Sequence, residues 1–219
     1  MTHAERLRVF HQADLYVVIT EALCAGRSAV EILDMTLAAG VRLVQLREKD
    51  LNGRALFELA LEFRRRTEAA GALLIINDRL DIALAAGADG VHLGQDDLPV
   101  SAARSLGSEL IIGASTHSLE EALAAQDAGA SYVNIGPIFA TLTKEGATPL
   151  GPEMIDRIAP KLRLPWTTMG GIKKTNIDQV VSRGAKHPAV ITAVTAAPDP
   201  TAAARELRQK IAHGLSTHT

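Results

Sequence analysis

Cysteine, aromatic residues and long apolar runs are all scarce in this chain of 219 residues, and each scarcity excludes a class of protein. The one cysteine, Cys24, can form neither an intramolecular disulfide nor a cysteine metal cluster. No apolar run approaches the ~20 residues that cross a bilayer, and the polar start MTHAERLRVFHQADLY lacks the apolar segment of a signal peptide. We therefore expect a soluble, cytoplasmic protein without a membrane partner.

An excess of charge of either sign is also absent. The net charge is −2 and the sequence pI is about 6.4, so composition does not indicate nucleic acid as a partner. The one basic run, Arg64-Arg65-Arg66, is interpreted as a solvated helix end rather than a nucleic-acid patch. Aromatic residues make up 3% and hydrophobic residues 47% of the chain, which predicts a core of Leu, Ile, Val and Ala. No Gly- or Ser-rich linker divides the chain, so we predict a single domain over residues 1–219.

One local pattern recurs along the chain: a helix ends at a small residue and Gly, and a short apolar strand follows. Gly suits the left-handed position that ends a helix, and apolar strands without alternation indicate a sheet buried on both faces. We predict eight strands, Leu15–Thr20, Leu43–Leu46, Leu73–Ile76, Val91–Leu93, Leu110–Ser115, Tyr132–Ile135, Pro165–Met169 and Ala189–Ile191. This number predicts an α/β fold, a single (β/α)8 TIM barrel, with an open doubly wound sheet as the alternative.

Two of these strands end in acidic residues. The third strand leads into Asn77-Asp78 and the fourth into Gln95-Asp96-Asp97, with an Ala-rich helix between them. Such a connection makes the two strands parallel neighbours, so Asp78 and Asp97 would lie at one edge of the sheet. Two carboxylates there suit Mg²⁺, which takes one or two protein carboxylates together with substrate phosphate oxygens. The local alternatives are an N-cap for Asp78 and a turn for Asp97.

Polar side chains at other strand ends indicate anion binding. Gln45, Arg47 and Lys49 alternate with apolar or acidic residues after the second strand, so they point the same way and suit a pyrophosphate. A surface salt-bridged strand end is the alternative. Ser115, after the fifth strand, could donate to a substrate or cap the helix that begins near Ser118.

His92, within the fourth strand, is interpreted as a buried, hydrogen-bonded structural histidine in preference to a general base.

A second anion site is predicted from the loops after strands six, seven and eight. The long loop after strand six carries Thr141, Thr143 and Lys144, whose hydroxyls and ammonium fit a phosphate, although a polar surface loop is the alternative. Gly170-Gly171 exposes backbone N–H groups after strand seven, and barrels often bind phosphate with their last two loops. Two anion sites on one face indicate a reaction in which pyrophosphate leaves with Mg²⁺ assistance while a second, monophosphorylated substrate attacks.

Along nearly its whole length the chain resembles the thiamine phosphate synthase family. The resemblance rests on the motifs VQLREKD, LIINDRLDIALAAGADGVHLGQDDLP, IIGASTHS, NIGPIFATLTKEG, GGI and TAAPDP. It implies a (β/α)8 barrel that joins 4-amino-5-hydroxymethyl-2-methylpyrimidine diphosphate to 4-methyl-5-(2-phosphoethyl)thiazole, giving thiamine phosphate and diphosphate. Its implied partners are these small molecules, with no nucleic acid or membrane; whether the chain forms a homo-oligomer stays open.

The resemblance also implies roles for individual residues. It places Mg²⁺ on Asp78 and Asp97, with Arg47, Ser115 and Lys144 in the catalytic set. The pyrimidine diphosphate would be held by Gln45, Arg47, Lys49, Asn77, Ser115 and Lys144. The thiazole phosphate would be held by Thr141, Thr143, Gly171, Ile191 and Thr192. In the family the C–O bond is thought to break first, leaving a pyrimidine-methyl cation that the thiazole nitrogen captures.

Some residues depart from the family pattern. Thr192 stands where the family commonly has Ser. The unusual segment Lys186-His187-Pro188 could alter the affinity for thiazole phosphate, but it is expected to be neutral because it lies at the N-terminal end of its strand. Trp166 and Met169 could alter core packing beneath the site. The alternatives in function are a thiazole tautomerase, a non-catalytic protein that binds thiamine precursors, and an unrelated phosphosugar barrel enzyme.

Overall fold

The computed structural model describes residues 1–141 and 148–216. Short strands alternate with helices along this part of the chain. The strands are β1 Tyr16–Ile19, β2 Leu43–Leu46, β3 Leu73–Asn77, β4 Gly90–Leu93, β5 Ile111–Thr116, β6 Tyr132–Ile135, β7 Trp166–Thr168 and β8 Ala189–Val190. The helices are α1 His3–Gln12, α2 Ala29–Ala38, α3 Gly53–Ala69, α4 Leu80–Ala85, α5 Val100–Leu106, α6 Leu119–Asp127, α7 Glu153–Ile158, α8 Asp178–Val181, α9 Thr192–Thr195 and α10 Pro200–Ser216. Short 3₁₀ turns cover Glu21–Leu23 and Ala159–Lys161.

The strands form one parallel sheet that curls into a barrel. Successive strands pair in chain order from β1 to β7, and β8 pairs with β1. A single backbone bridge between Thr168 and Pro188 brings β7 against the entry to β8 and closes the ring. The predicted (β/α)8 barrel is confirmed and the open doubly wound alternative is wrong, because an open sheet would leave its two outermost strands apart.

The predicted strands differ from the observed ones only at their ends. Two predicted strands, Pro165–Met169 and Ala189–Ile191, are longer than β7 and β8. β8 stops at Val190 because Ile191 (φ −116°, ψ −94°) already turns the backbone into α9.

Polar side chains set several helix starts. Thr2 and Ser28 form capping boxes with Glu5 and Glu31, in which each side chain bonds the other residue's backbone N–H. Asn52 caps α3 by accepting from Ala55 N at 3.0 Å. These bonds satisfy orphan N–H groups and fix where each helix leaves the barrel. No described helix is long and apolar enough to cross a membrane.

Two apolar layers make up the core. The outer layer, between the strands and the helices, is built from Leu, Ile, Val and Ala, with Phe63, as composition predicts. The inner layer fills the barrel and uses both tyrosines of the chain, Tyr16 and Tyr132, which are fully buried. Phe10 of α1 seals the N-terminal end, with its ring centroid 4.8 Å from that of Tyr132. Gly113 leaves room for the same ring, since a Cβ there would lie 2.1 Å from Tyr132 Cζ.

A buried ion cluster ties α1 and α3 to the N-terminal half of the barrel. Asp89 is 1% exposed and accepts from Arg64 at 2.6 Å, from Arg6 at 3.3 Å and from the backbone N–H of Leu74 at 2.9 Å. The interpretation of Arg64 as part of a solvated helix end is therefore wrong. Its guanidinium turns inward because a buried carboxylate needs a partner.

Candidate active site

Two adjoining cavities open at the C-terminal ends of the strands. The first, here called the charged cavity, has a volume of about 320 Å³, and the second, the glycine-lined cavity, about 280 Å³. Met169 and Ile191 line both cavities and thus stand at their boundary. Met169, which the sequence places in the packing beneath the site, also forms part of the wall of both cavities.

The charged cavity collects the predicted diphosphate and metal residues that the structure describes. Its lining includes Gln45, Arg47, Lys49, Asn77, Asp78, Asp97 and Ser115. The strand alternation that predicted a common face for Gln45, Arg47 and Lys49 is borne out by their positions. Glu48 turns the other way and accepts from Glu21 N at 2.6 Å. Lys144 lies outside the described residues.

Asp78 enters the cavity through an unusual backbone conformation. Its φ is +60°, and the backbone N–H of Arg79 bonds Asn77 O at 2.6 Å, so Asp78 is the centre of a γ-turn. The N–H of Asp78 still pairs with His92 O at 2.8 Å, which ties the turn to β4. The N-cap alternative is wrong, because α4 begins at Leu80 and has no side-chain cap.

Asp78 and Asp97 share one patch of the cavity wall. Burial raises the pKa of Asp78, and the neighbouring Asp97 carboxylate raises it further; the Lys49 ammonium, 3.5 Å away, opposes the rise. Asp97 also accepts from Gly94 N at 2.7 Å, so the turn interpretation of Asp97 holds alongside its place in the cavity.

This carboxylate pair fits a hard divalent cation. Two carboxylates that repel each other are stabilised when a cation lies between them, and oxygen ligands are those that Mg²⁺ prefers. The described residues contain no group of three or more His, Cys, Asp or Glu side chains placed to hold a metal. The remaining ligands would therefore come from water or from substrate oxygens, as is usual for Mg²⁺.

A chain of hydrogen bonds runs beneath the charged cavity. Gln45 Nε2 donates to the Tyr16 hydroxyl at 2.7 Å, and the Tyr16 and Tyr132 hydroxyls lie 3.1 Å apart. The Tyr132 hydroxyl lies 2.9 Å from His92 Nδ1, and His92 Nε2 lies 2.9 Å from Ser115 Oγ. This hydrogen-bond chain links two predicted substrate contacts, Gln45 and Ser115, through three buried rings.

These contacts decide between the alternative roles that the sequence predicts for His92 and Ser115. Burial lowers the pKa of His92 to about 4, so the ring is neutral at pH 7, and the interpretation of a hydrogen-bonded structural histidine agrees with this environment. Ser115 does not cap α6; that cap is Ser118, which accepts from Glu121 N at 3.2 Å.

The glycine-lined cavity collects the predicted thiazole-phosphate residues that are described. Thr141, Gly171, Ile191 and Thr192 all line it, whereas Thr143 lies outside the described residues. Gly171 has φ +62°, and a Cβ there would lie 2.4 Å from Ala140 O, so only glycine fits. Asn176 holds this loop by donating to Gly171 O at 3.0 Å.

Two polar residues that line these cavities, Lys173 and Gln95, have no role predicted from the sequence. Lys173 lines the glycine-lined cavity, and its position directly after Gly-Gly-Ile could have revealed it. Gln95 lines the charged cavity and donates to Ser115 O at 2.5 Å. That contact pairs neighbouring strand ends, and residue spacing alone does not reveal it.

Known proteins are similar to this chain in both sequence and fold. Residues 15–194 match the family model described as thiamine monophosphate synthase. The chain belongs to this family. It is 47% identical to a thiamine-phosphate synthase of Chloroflexus aurantiacus, over 89% of this chain and 90% of the relative. It is 43% identical to one of Pelotomaculum thermopropionicum, over 90% and 91%. A solved thiamine phosphate pyrophosphorylase of Pyrococcus furiosus superposes with a TM-score of 0.87 at 37% identity, covering 93% of this chain and 98% of that one.

In this member of the thiamine monophosphate synthase family, the segment Lys186-His187-Pro188 lies away from both cavities. It precedes β8 at the N-terminal end of the barrel, as predicted. His187 is buried there, with its ring centroid 4.8 Å from that of Phe10. The segment therefore packs against α1 and contributes to neither cavity.

Proposed function

We propose that this protein is a thiamine-phosphate synthase that joins 4-amino-5-hydroxymethyl-2-methylpyrimidine diphosphate to 4-methyl-5-(2-phosphoethyl)thiazole. The observation that carries the proposal is the pair of adjoining cavities, one charged and one glycine-lined, with Met169 and Ile191 at their boundary. Substrates held in adjoining cavities can meet across that boundary, which makes the coupling effectively unimolecular. The names of the relatives support the same activity.

The charged cavity would hold the pyrimidine diphosphate. Arg47 and Lys49 supply positive charge, and Gln45, Asn77 and Ser115 supply polar contacts. The family resemblance adds Lys144, which lies outside the described residues. A leaving group with several negative charges needs this density of donors, because charge-assisted hydrogen bonds are the strongest that side chains make to phosphate.

Asp78 and Asp97 would hold Mg²⁺ against the diphosphate. When bound, the ion neutralises charge on the diphosphate and so makes it a better leaving group. Asp78 becomes a better ligand as its proton is lost, and Lys49 lies close enough to Asp78 to contact the same anion.

The glycine-lined cavity would hold the thiazole phosphate. Backbone N–H groups near Gly171 and Thr192 and the Thr141 hydroxyl can donate to a monophosphate. The family resemblance adds Thr143, which lies outside the described residues. Lys173 adds an ammonium at the rim.

The chemistry requires positioning and charge stabilisation. The C–O bond to the diphosphate breaks with its electron pair leaving on oxygen, and the thiazole nitrogen forms the new C–N bond through its lone pair. Arg47 and Lys144 stabilise the departing anion. No strong base is needed, which agrees with a neutral, fully hydrogen-bonded His92.

A coupling assay tests the proposal directly. Purified protein is mixed with both substrates and Mg²⁺, and thiamine phosphate is read as its oxidised fluorescent derivative, with an EDTA control. Mg²⁺-dependent product is expected. Folded protein that binds thiazole phosphate but forms no product would refute the proposal and indicate a thiazole tautomerase or a non-catalytic binding protein. Neither is favoured, because a tautomerase has no need of the charged cavity.

An enzyme with these small-molecule substrates belongs in the cytoplasm.

A further inference from the structure

The hydrogen-bond chain beneath the charged cavity carries an inference that deepens the proposed function and rests on it only for the identity of the ligand. We propose that Tyr132 and His92 are positioning residues that fix His92 as the Nε2–H tautomer. Ser115 Oγ–H then becomes an obligate donor aimed into the charged cavity.

Gln45 sets the direction of donation along the hydrogen-bond chain. Its amide nitrogen can only donate, and it lies 2.7 Å from the Tyr16 hydroxyl. The Tyr16 hydroxyl is fully buried, and its one acceptor partner among the described residues is the Tyr132 hydroxyl 3.1 Å away, so its single hydrogen is donated there. Tyr132 accepts that bond and has its own hydrogen left for the next partner.

The remaining two bonds follow from the same inventory. Tyr132 donates to His92 Nδ1 at 2.9 Å, so Nδ1 carries no hydrogen and Nε2 carries the one hydrogen of the neutral ring. His92 Nε2–H then donates to Ser115 Oγ at 2.9 Å. Ser115 has accepted, and its hydrogen is directed to whatever lies in the cavity.

Burial keeps this pattern from rearranging. Tyr16 and Tyr132 are 0% exposed and His92 is 4% exposed, so water cannot replace a partner in the middle of the chain. Burial raises the pKa values of both tyrosines, so their hydroxyls keep their hydrogens at pH 7. His92 Nδ1 accepts from Tyr132 and Nε2 faces Ser115 Oγ, so these contacts fix the count of hydrogens on the ring.

The rings are also held in place sterically. The His92 and Tyr132 rings stack with centroids 5.5 Å apart, and the Tyr132 ring occupies the space that Gly113 leaves. A ligand atom that faces Ser115 must accordingly be an acceptor, such as a ring nitrogen or a diphosphate oxygen of the pyrimidine substrate. A donor there would oppose a donor and lose the bond.

The tautomer is the first test, and it is read in the wild-type protein. ¹⁵N-labelled histidine is incorporated into the full chain, and the His92 signals are assigned by their loss in His92→Gln. The expected result is a single neutral ring with hydrogen on Nε2. Hydrogen on Nδ1 would overturn the proposal, because the chain would then run from Ser115 towards Gln45.

Kinetics of Tyr132→Phe test the positioning role. The variant keeps the ring and removes one link, so we expect mixed His92 tautomers and about a tenfold fall in kcat/KM for the pyrimidine diphosphate. The KM for the thiazole phosphate should not change. Thr36→Val is the control, because it removes a buried hydroxyl that has no hydrogen-bond partner among the described residues and takes no part in the hydrogen-bond chain. Tyr16→Phe, one bond further from Ser115, replaces Tyr132→Phe if that variant does not fold.

The outcomes separate the two proposals. An equal loss for both substrates, or a mixed tautomer with unchanged kinetics, would overturn the positioning role. If the wild type makes no thiamine phosphate, the proposed function fails. The tautomer then still decides the direction of the chain, and calorimetric binding of inorganic diphosphate with Mg²⁺ replaces kinetics. Unchanged diphosphate binding by Tyr132→Phe would count against positioning.

Discussion

Asp78 must satisfy two demands at once, and a pair of substitutions can separate them. Its backbone lies in the left-handed region at φ +60°, and its carboxylate faces Asp97 across the predicted metal site. Asparagine tolerates the backbone conformation but cannot ionise. Alanine disfavours the backbone conformation and cannot ionise either. Asp78→Asn and Asp78→Ala therefore remove the same charge and differ in backbone cost.

The cost to stability can be worked from the conformation. A residue with an ordinary Cβ pays about 1–2 kcal/mol in the left-handed region, and Asn pays less because its side chain bonds locally. We expect Asp78→Ala to be about 1 kcal/mol less stable than Asp78→Asn, which for a chain of this size is about 2–4 °C in Tm.

The charge has its own effect, with a sign set by the pKa. Because burial and Asp97 raise the folded pKa of Asp78, its contribution to stability is fully present below the ordinary Asp pKa and is lost as pH rises through the raised value. Metal-free wild type should lose this stability as the pH rises above the ordinary Asp pKa of about 4. Asp78→Asn should not, and at pH 7 it should be at least as stable as wild type.

Activity should fall alike in both variants. If Asp78 holds Mg²⁺, its loss removes several kcal/mol of transition-state stabilisation, or on the order of 100-fold in kcat/KM. The assays are Mg²⁺ titration of thiamine phosphate formation, and thermal melts at several pH values with and without Mg²⁺. An Asp78→Asn variant with the wild-type Mg²⁺ midpoint would refute the metal assignment. Equal melting of the Asn and Ala variants would refute the backbone cost.

Three further predictions concern other parts of the barrel. Lys173→Ala should raise the KM for thiazole phosphate about two- to fivefold in steady-state assays at low salt, whereas Lys174→Ala, whose ammonium already pairs with a carboxylate of α10 at 2.5 Å, should not. Gly113→Ala should lower stability by about 1–3 kcal/mol in urea unfolding, because the new Cβ meets a tyrosine ring, whereas Gly53→Ala meets only an arginine tip at 3.5 Å and should not be destabilised. Asp89→Asn should cost about 3–5 kcal/mol in the same assay, because a buried carboxylate that pairs with two partly buried arginines is lost, while kcat of the folded protein stays at the wild-type value; unchanged stability would contradict this account.

The barrel and its functional face were predictable because both follow from the recurring pattern of a helix-ending Gly and a short apolar strand. Repeated Gly after helices located the strands, and parallel strands place their C-terminal residues at one rim. Residues far apart in sequence, such as Arg47 and Asp97, were therefore assigned to one cavity, where the structure places them.

The interior of the barrel was less predictable. The composition indicated an aliphatic core, yet Tyr16 and Tyr132 lie inside the barrel, where their hydroxyls find partners on other strands. His92 and Ser115 are likewise defined by a contact across 23 positions, so local sequence could not distinguish a cap from a cavity residue. The left-handed turn at Asp78 was missed because nothing in Asn-Asp-Arg requires it.

The barrel closes through one backbone bridge, between Thr168 and Pro188, and this has a consequence for its local opening. The junction between β7 and β8 therefore has the fewest backbone hydrogen bonds of any neighbouring strand pair in the barrel. The segments that follow these two strands carry Gly171 and Ile191, which line the glycine-lined cavity. A phosphate ester bonded to both segments would hold this junction shut. Amide hydrogens of β7 and β8 should therefore exchange with deuterated solvent sooner than those of β2 and β3, and slow when thiazole phosphate is added.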